Sequence, residues 1–268
     1  MKPIIAIVMA ALIMLPAAHA GTVTLTGTCY DKLLPGNVLR FGLNNSGNDF
    51  AINLILSPNI SGAEVNSSTY VISTLPPGKS ANMLFKLRNI SFTGSRPIDF
   101  VLTYQQGVGQ TFVTVFPCML VVGNATTEEI DMTVTTHRYA DSALLNVSMT
   151  NGGPNVITAN VFTMLPPELS LESGSSRIIQ FGPYETKNVS FEVKFAPAVA
   201  TYTGAIALAY TLNNISYGTF SYVTLNTSPV RGPSYLVAFV IVLAAVVAVF
   251  AALLFRSIKK GRKHNAAA

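Results

Sequence analysis

The chain has 268 residues, of which 50% are hydrophobic and 11% are charged, and its formal net charge is +5. Five Lys and Arg follow residue 255, whereas residues 21–255 hold eleven basic against twelve acidic side chains. The central region therefore lacks the basic, aromatic-interleaved surface on which nucleic-acid binding depends, and the composition argues against a DNA- or RNA-binding function.

The first 20 residues have the three-part layout of a secretory signal peptide. Lys2 precedes an apolar run from Ile4 to Leu15, and the small-residue end Ala18-His19-Ala20 predicts cleavage before Gly21. An uncleaved N-terminal anchor is the alternative. In either case we expect the residues that follow to be translocated across a membrane.

Between residues 21 and 230, apolar and polar residues alternate with a period of two, which predicts half-buried strands and not helices. Val189, Phe191 and Val193 share one face of such a strand. Turn clusters such as Pro76-Pro77-Gly78-Lys79 separate the strands at the rhythm of about 8 to 12 residues that is typical of a β-sandwich. The sequence therefore predicts an all-β fold of immunoglobulin-like sandwiches.

Strand and turn motifs recur at an offset of 106 residues. The apolar strand that leads into Asn45-Ser46-Gly47 returns as the strand that leads into Asn151-Gly152-Gly153. This repetition predicts two tandem domains, at residues 21–122 and 123–229. Because the connection between them contains no long flexible Gly/Ser stretch, we expect the domains to be tightly coupled, end to end.

The chain contains two cysteines, and both lie in the first predicted domain. Cys29 is in phase with the apolar residues of the first strand, and Cys118 is in phase with those of the last strand. First and last strands are often neighbours in such sandwiches, so we predict a Cys29–Cys118 disulfide, worth about 4 to 5 kcal/mol in the chain-entropy model. Two free, buried thiols are the alternative.

Nine Asn-x-Ser/Thr sequons occur, all on the side expected to be translocated, which predicts N-glycosylation. Two of them, at Asn146 and Asn188, fall on the outward phase of their predicted strands. The alternative is that Asn, Ser and Thr are simply common in exposed β-loops. The nine asparagines are Asn44, Asn59, Asn66, Asn89, Asn124, Asn146, Asn188, Asn214 and Asn226.

Catalytic and metal-binding patterns are not evident. His137 is the one histidine expected outside, because His19 belongs to the signal peptide and His264 to the C-terminal tail; a single histidine without a nearby thiol gives neither a catalytic triad nor a typical zinc site. The acidic residues at 128–131 lack the alternating ligand pattern of a calcium loop. We therefore expect no enzymatic activity, no metal, no cofactor and no small-molecule substrate.

Residues 235–255 form an apolar segment without a charged residue. As a helix these residues extend about 31 Å, close to the thickness of the hydrocarbon core. The sequence predicts a transmembrane helix over 230–256 and a basic cytoplasmic tail over 257–268, which also attracts anionic lipid headgroups. The expected localisation is the cell membrane, single-pass, with the N-terminus outside and the C-terminus cytoplasmic. A core helix of a soluble domain is the alternative.

The two repeats resemble a known group of surface proteins. Each joins an apolar strand to an Asn-Gly-like turn, and then places the turn Pro77-Gly78 or Gly182-Pro183 before an alternating strand. Over residues 22–228 this pattern is similar to archaeal S-layer-related, cell-adhesion-type immunoglobulin-like repeats. The resemblance implies a secreted or membrane-anchored surface protein with tandem sandwiches and N-glycans, and an archaeal envelope as its setting.

We accordingly expect a membrane-anchored, S-layer-associated cell-surface glycoprotein with a structural or adhesive role, whose partners are the lipid bilayer and an envelope or membrane protein. The alternative is an extracellular-facing accessory subunit of a membrane transport or secretion complex. In that case the helix would pack against other spans through its small residues. These residues are Ala244, Ala245, Ala248, Ala251 and Ala252.

Overall fold

The computed structural model describes residues 21–107, 110–124, 129–139, 141–172, 174–195 and 201–226. These residues form β-strands joined by turns, which confirms the predicted all-β fold for this part of the chain. None of these residues belongs to a helix of sufficient length and apolarity to cross a bilayer. The predicted signal peptide, transmembrane helix and basic tail lie outside the described residues.

Sixteen strands are present in the described residues, in two successive sets of eight. The first set, which we call repeat 1, comprises β1 (Leu25–Cys29), β2 (Val38–Asn45), β3 (Ala51–Asn59), β4 (Glu64–Val65), β5 (Tyr70–Leu75), β6 (Ser80–Arg88), β7 (Gly94–Gln106) and β8 (Gln110–Val122). The second set, repeat 2, comprises β9 (Ile130–Arg138), β10 (Ser142–Asn151), β11 (Ile157–Met164), β12 (Ser170–Leu171), β13 (Ser176–Phe181), β14 (Thr186–Lys194), β15 (Thr201–Leu212) and β16 (Ile215–Asn226).

Both repeats have the same strand order. In repeat 1 one sheet runs β1-β2-β6-β4, and the strands of the other run β5-β3-β7-β8; in repeat 2 the corresponding orders are β9-β10-β14-β12 and β13-β11-β15-β16. Within each repeat the named strands pair antiparallel, and repeat 1 has in addition an isolated parallel bridge between Lys32 and Val121. Corresponding strands such as β5 and β13 begin 106 residues apart, the same offset as in the sequence. The domain boundaries at residues 122 and 123 remain predictions.

Each repeat has its own hydrophobic core between its two sheets. In repeat 1 the core centres on Phe41, Phe85 and Phe100; the ring of Phe41 lies 4.3 Å from that of Phe100, and Phe85 lies 5.5 Å from Phe100. Phe181 and Phe191 are buried in the core of repeat 2. Complete burial of a phenylalanine contributes about 2 to 3 kcal/mol, so the inward residues of the alternating strands hold the sheets together.

A third apolar cluster, which we call the junction, joins the two repeats. Outward-facing Val101 and Val115 of repeat 1 pack here with residues of β11, β15 and β16. The members from repeat 2 are Phe162, Met164, Ala205, Ala207 and Phe220. Both repeats thus belong to one compact unit.

The junction places sheets of the two repeats against each other laterally, so the expected end-to-end arrangement is wrong. The physical reason is that several outward residues of β7, β8 and β11, such as Val101, Val115 and Phe162, are apolar and must be covered, whereas outward positions of a solvated sheet are polar. Small side chains, including Ala205 and Ala207, allow the strands to approach closely. A single parallel bridge between Gly94 and Ser216 adds backbone contact at the edge of the junction.

Candidate binding clefts and modification sites

The predicted disulfide between Cys29 and Cys118 is present, and the two Cα atoms lie 5.8 Å apart. Cys29 ends β1 in one sheet of repeat 1, and Cys118 lies in β8 of the other sheet. The bond therefore links the two sheets of repeat 1 at their margin. Repeat 2 contains no cysteine and relies on its core and on the junction.

Two buried asparagines hold corresponding turns of the repeats. Asn45 donates from its side-chain amide to the backbone oxygens of Asp49 and Leu75, at 2.8 and 3.0 Å, and its side-chain oxygen accepts from the Gly47 backbone N–H at 3.1 Å. The sequence predicts a turn at this Asn-x-Gly motif, but it does not predict the role of the buried amide. The recurrence of the motif 106 residues later was the feature of the sequence that pointed to a structural role for this asparagine.

The nine sequon asparagines occupy different local structures. Asn44, Asn146 and Asn188 lie within strands, Asn59 and Asn226 end strands, and Asn66, Asn89, Asn124 and Asn214 lie between strands. Asn59 and the four asparagines between strands are exposed. Asn188 is exposed and Asn146 is half-buried, on the face opposite the buried Val147, as their outward phase predicted. Glycosylation itself stays a prediction at all nine.

Two sequons lie directly opposite each other in the sheet of repeat 2. Asn146 is paired with Ser190, and Asn188 is paired with Ser148, so each sequon places its asparagine across from the hydroxyl residue of the other. The Ser190 hydroxyl donates to the Asn146 side-chain oxygen at 2.7 Å. Together with Thr133 and Thr135 of β9, these side chains give the sheet a hydroxyl- and amide-rich outer surface, which we call the polar face.

A cleft of about 450 Å³ opens between the repeats beside the junction. Asn59, Ser61, Arg96 and Pro97 of repeat 1 form one wall. The opposite wall contains Asn160, Phe162, Ala209 and Thr211 of repeat 2. We call this space the inter-repeat cleft. Its lining combines hydrogen-bonding side chains with apolar surface, the combination found in sites for small organic groups.

Arg96 is the cationic group of the inter-repeat cleft. Its guanidinium group donates to the backbone oxygen of Ser61 at 3.2 Å and lies 4.6 Å from the ring centroid of Phe92. Partial burial lowers the pKa of Arg96. Within the described part of the chain no carboxylate forms a salt bridge with it. The group is therefore positioned by a carbonyl and an aromatic ring.

Asp99 lies next to this cleft, on β7, as the register partner of Asn59 on β3. Its side chain is buried, with 7% exposure. Burial raises the pKa of the Asp99 carboxyl to about 6, although a hydrogen bond from the Asn59 side chain acts in the opposite direction. The arrangement holds the Asn59 amide against a carboxyl group at the rim of the cleft.

A second cleft of about 400 Å³ lies elsewhere between the repeats and includes Tyr104, Gln110, Glu168 and Tyr202. The buried Tyr202 hydroxyl has no hydrogen-bond partner among the residues that the structure describes. Burial raises the pKa of this hydroxyl, and the negative charge of Glu168 raises it further. Neither cleft is indicated by the sequence, because each combines residues distant in the chain.

Among the described residues, the histidine and acidic residues that could have formed a catalytic or metal site do not lie together. His137 is exposed on β9, and the Glu129 carboxylate lies 3.4 Å from the Asn155 amide nitrogen. No group of three His, Cys, Asp or Glu side chains suited to a metal occurs in the described ranges, which leave out Glu128. Gly107, at a φ of 60°, begins the connection between β7 and β8.

No protein-family model matches the chain, and no curated protein matches its sequence. Among solved structures it is similar to Escherichia coli alpha-2-macroglobulin activated by porcine elastase, at 12% identity over 78% of this chain and a TM-score of 0.32. It is also similar to a Salmonella alpha-2-macroglobulin mutant, at 12% identity over 76% of this chain and a TM-score of 0.31. A third similar structure is red sea bream transglutaminase, at 16% identity over 74% of this chain and a TM-score of 0.26. The chain spans 22%, 16% and 30% of these three chains, respectively. Similarity at this level carries no argument about function.

Proposed function

We propose that this chain is a membrane-anchored cell-surface glycoprotein with a structural or adhesive, protein-binding role. The observation that carries the proposal is the polar face of repeat 2, where two sequons oppose each other on an otherwise Ser- and Thr-rich sheet. Such a face needs no protein cover, because its outward groups hydrogen-bond to water or to sugar hydroxyls. It suits a sheet that carries glycans in an extracellular layer.

We also propose that the two repeats are tandem immunoglobulin-like domains. The order β5-β3-β7-β8 beside a sheet containing β1, β2 and β6 supports it, since it corresponds to the two-sheet arrangement of immunoglobulin-type sandwiches. The disulfide differs from the bridge of antibody domains, which joins the second and sixth strands. Here it joins the first and last strands of the repeat.

The proposed mechanism is positional. The junction couples the two sandwiches into one body, so a partner that binds one repeat is held at a fixed place relative to the other. A C-terminal membrane helix would then fix the body at the bilayer, and glycans would solvate the polar face. The resemblance to archaeal S-layer-related repeats favours an envelope lattice as the surroundings.

The first experiment tests anchoring and export. The full chain and a variant that ends at residue 229 are expressed in the same cells, which are separated into cytosol, membrane and medium. We expect the full chain in the membrane fraction and the truncated variant in the medium. Recovery of the full chain in the cytosol would contradict the proposal.

The second experiment identifies the partner. Cross-linking of isolated envelopes followed by mass spectrometry is expected to join exposed lysines of the chain, such as Lys79 and Lys86, to another envelope protein. Cross-links to the subunits of a transporter or secretion complex, together with co-purification in mild detergent, would favour the accessory-subunit alternative. The alanine-lined face of the predicted helix is the observation that supports that alternative.

A further inference from the structure

One of the nine sequons forms part of the wall of the inter-repeat cleft. Asn59 and Ser61, the two defining residues of the sequon Asn59-Ile60-Ser61, both line this space on the side of repeat 1. The Asn59 residue is exposed. A group attached to its amide nitrogen would lie at the entrance to a cleft whose far wall belongs to repeat 2.

The far wall has the chemistry that a sugar requires. Asn160 and Thr211 are exposed strand residues that line the cleft, and among the residues that the structure describes their side chains make no hydrogen bond, so the amide and hydroxyl groups are available to sugar hydroxyls. Half-buried Phe162 offers an apolar surface beside them. On the near side, Arg96 adds further donors in a fixed position.

The Asn59 side chain is also held in place. Its amide donates to the carboxyl group of Asp99 on the neighbouring strand. An N-glycosylated asparagine keeps one of its two amide hydrogens, so this hydrogen bond can persist after modification. Asp99 is therefore a positioning residue that would fix the direction in which an attached glycan leaves the strand.

We propose that Asn59 carries an N-linked oligosaccharide whose first sugars occupy the inter-repeat cleft and bridge repeat 1 to repeat 2. In the modification, the Asn59 side-chain nitrogen forms a bond to the anomeric carbon of a lipid-phosphate-linked oligosaccharide. The bond from that carbon to the phosphate oxygen breaks, the lipid phosphate leaves with the bonding electrons, and the amide loses one proton. This inference rests on the proposed function, which supplies export and glycosylation.

The glycan would act as a bridge that is covalently attached to repeat 1 and hydrogen-bonded to repeat 2. The apolar junction already joins the repeats, and sugars hydrogen-bonded to Asn160, Thr211 and Arg96 would extend the contact beyond the junction. Asn66, an exposed sequon asparagine between strands, lines neither of the two clefts described above, so we expect a glycan there to have no such contact. It would remain in solvent.

The test compares two serine-to-alanine variants of the full chain, purified from the membranes of cells that glycosylate it. Ser61→Ala removes the Asn59 sequon but keeps the Asn59 amide and the Ser61 backbone oxygen that Arg96 uses. Ser68→Ala removes the exposed Asn66 sequon in the same repeat and is the matched control. Glycopeptide mass spectrometry gives the occupancy of each sequon. Glycosidase digestion of the native protein measures how well each glycan is protected from the enzyme, and hydrogen exchange measures the protection of the backbone amides.

In the wild-type chain we expect the Asn59 glycan to be removed at least about tenfold more slowly than the Asn66 glycan, as a group released only by local opening would be. Ser61→Ala should increase hydrogen exchange near Asn160 and Thr211, whereas Ser68→Ala should not. If Ser61→Ala fails to fold, the comparison of the two glycans in the wild-type chain still decides.

The outcomes separate this inference from the function on which it rests. Equal rates of removal of the Asn59 and Asn66 glycans would contradict the proposed bridge between the repeats. An unmodified Asn59 in a chain that is glycosylated elsewhere would contradict it as well. The proposed function as a cell-surface glycoprotein would stand in both cases. A chain with no glycan at any sequon, purified from cells that glycosylate other surface proteins, would overturn both.

Discussion

Asn151 occupies in repeat 2 the position that Asn45 occupies in repeat 1, and both buried side chains make the same kinds of hydrogen bond: the amide donates to two backbone oxygens and the side-chain oxygen accepts from a backbone N–H. The Asn151 amide donates to the backbone oxygens of Asn155 and Gly182 at 2.7 and 2.8 Å, and its side-chain oxygen accepts from Gly153 N–H at 3.0 Å. Each asparagine thus joins the turn after its own strand to the end of a strand in the opposite sheet, or to the turn that follows it.

Substitution of Asn151 by Ala should lower the free energy of unfolding by about 2 to 3 kcal/mol, because two backbone oxygens and one N–H would lose their partner in a buried site. Asn155→Ala is the control: its backbone oxygen remains and its exposed side chain is dispensable, so we expect a loss below about 0.5 kcal/mol. Chemical denaturation of the full chain in detergent measures both. Equal losses would contradict the assigned role of the buried amide.

Removal of the disulfide should destabilise repeat 1 selectively. The double variant Cys29→Ala, Cys118→Ala opens a covalent loop with a sequence separation of 89 residues, for which the chain-entropy model gives a loss of about 4 to 5 kcal/mol. Hydrogen exchange followed strand by strand should increase more in β1 and β8 than in β9 and β16. An unchanged denaturation midpoint after complete reduction of the wild-type chain would contradict this expectation.

Gly94→Ala should weaken the contact between the repeats. Gly94 has a φ of 99°, and a Cβ atom at this position would collide with the backbone oxygen of Ser216. Gly36, at a φ of 83°, has open space around the same position, so Gly36→Ala isolates the conformational cost of about 1 to 2 kcal/mol. We expect Gly94→Ala to cost more than this control.

Hydrogen exchange provides the local measurement for the glycine pair. The Ser216 N–H donates to the Thr93 backbone oxygen at 2.7 Å and should lose protection in Gly94→Ala but keep it in Gly36→Ala. Equal stability and equal protection in the two variants would show that the Gly94–Ser216 approach is not constrained.

Asp99→Asn should raise stability at neutral pH. Because burial raises the folded-state pKa of Asp99 to about 6, the unfolded state ionises first as the pH rises, and the folded state loses stability between about pH 4 and pH 6. The shift of about two units corresponds to about 3 kcal/mol as an upper value. The asparagine variant does not ionise, so its gain should appear at pH 7 and be small at pH 4.

Thermal or chemical unfolding of both chains at these two pH values checks the Asp99 prediction. The measurement at pH 4, where the wild-type carboxyl is largely protonated, is the internal control for effects of the substitution on packing. A gain of equal size at both pH values would indicate a packing effect and contradict the proposed cost of ionisation.

One feature of the junction could have been found in the sequence. Residues 204–208 read Gly-Ala-Ile-Ala-Leu, an apolar run that breaks the period-two alternation and is typical of a strand covered on both faces. All five are buried, with Ile206 and Leu208 in the core of repeat 2 and Ala205 and Ala207 in the junction. The run predicts that something covers the outer face, although it does not identify the neighbour.

The sequence by itself determined the strands, their duplication at an offset of 106 residues and the pairing of Cys29 with Cys118, because alternation, turn chemistry and phase are local properties of the chain. Only the tertiary structure decided that the repeats pack laterally and that Asn59 faces Asn160 across a cleft. It also decided that Asn45 and Asn151 are buried and hydrogen-bond the turns of their repeats. These relationships join residues of different strands or repeats, and they depend on how whole sheets cover one another's apolar faces. No local periodicity encodes that choice of neighbour.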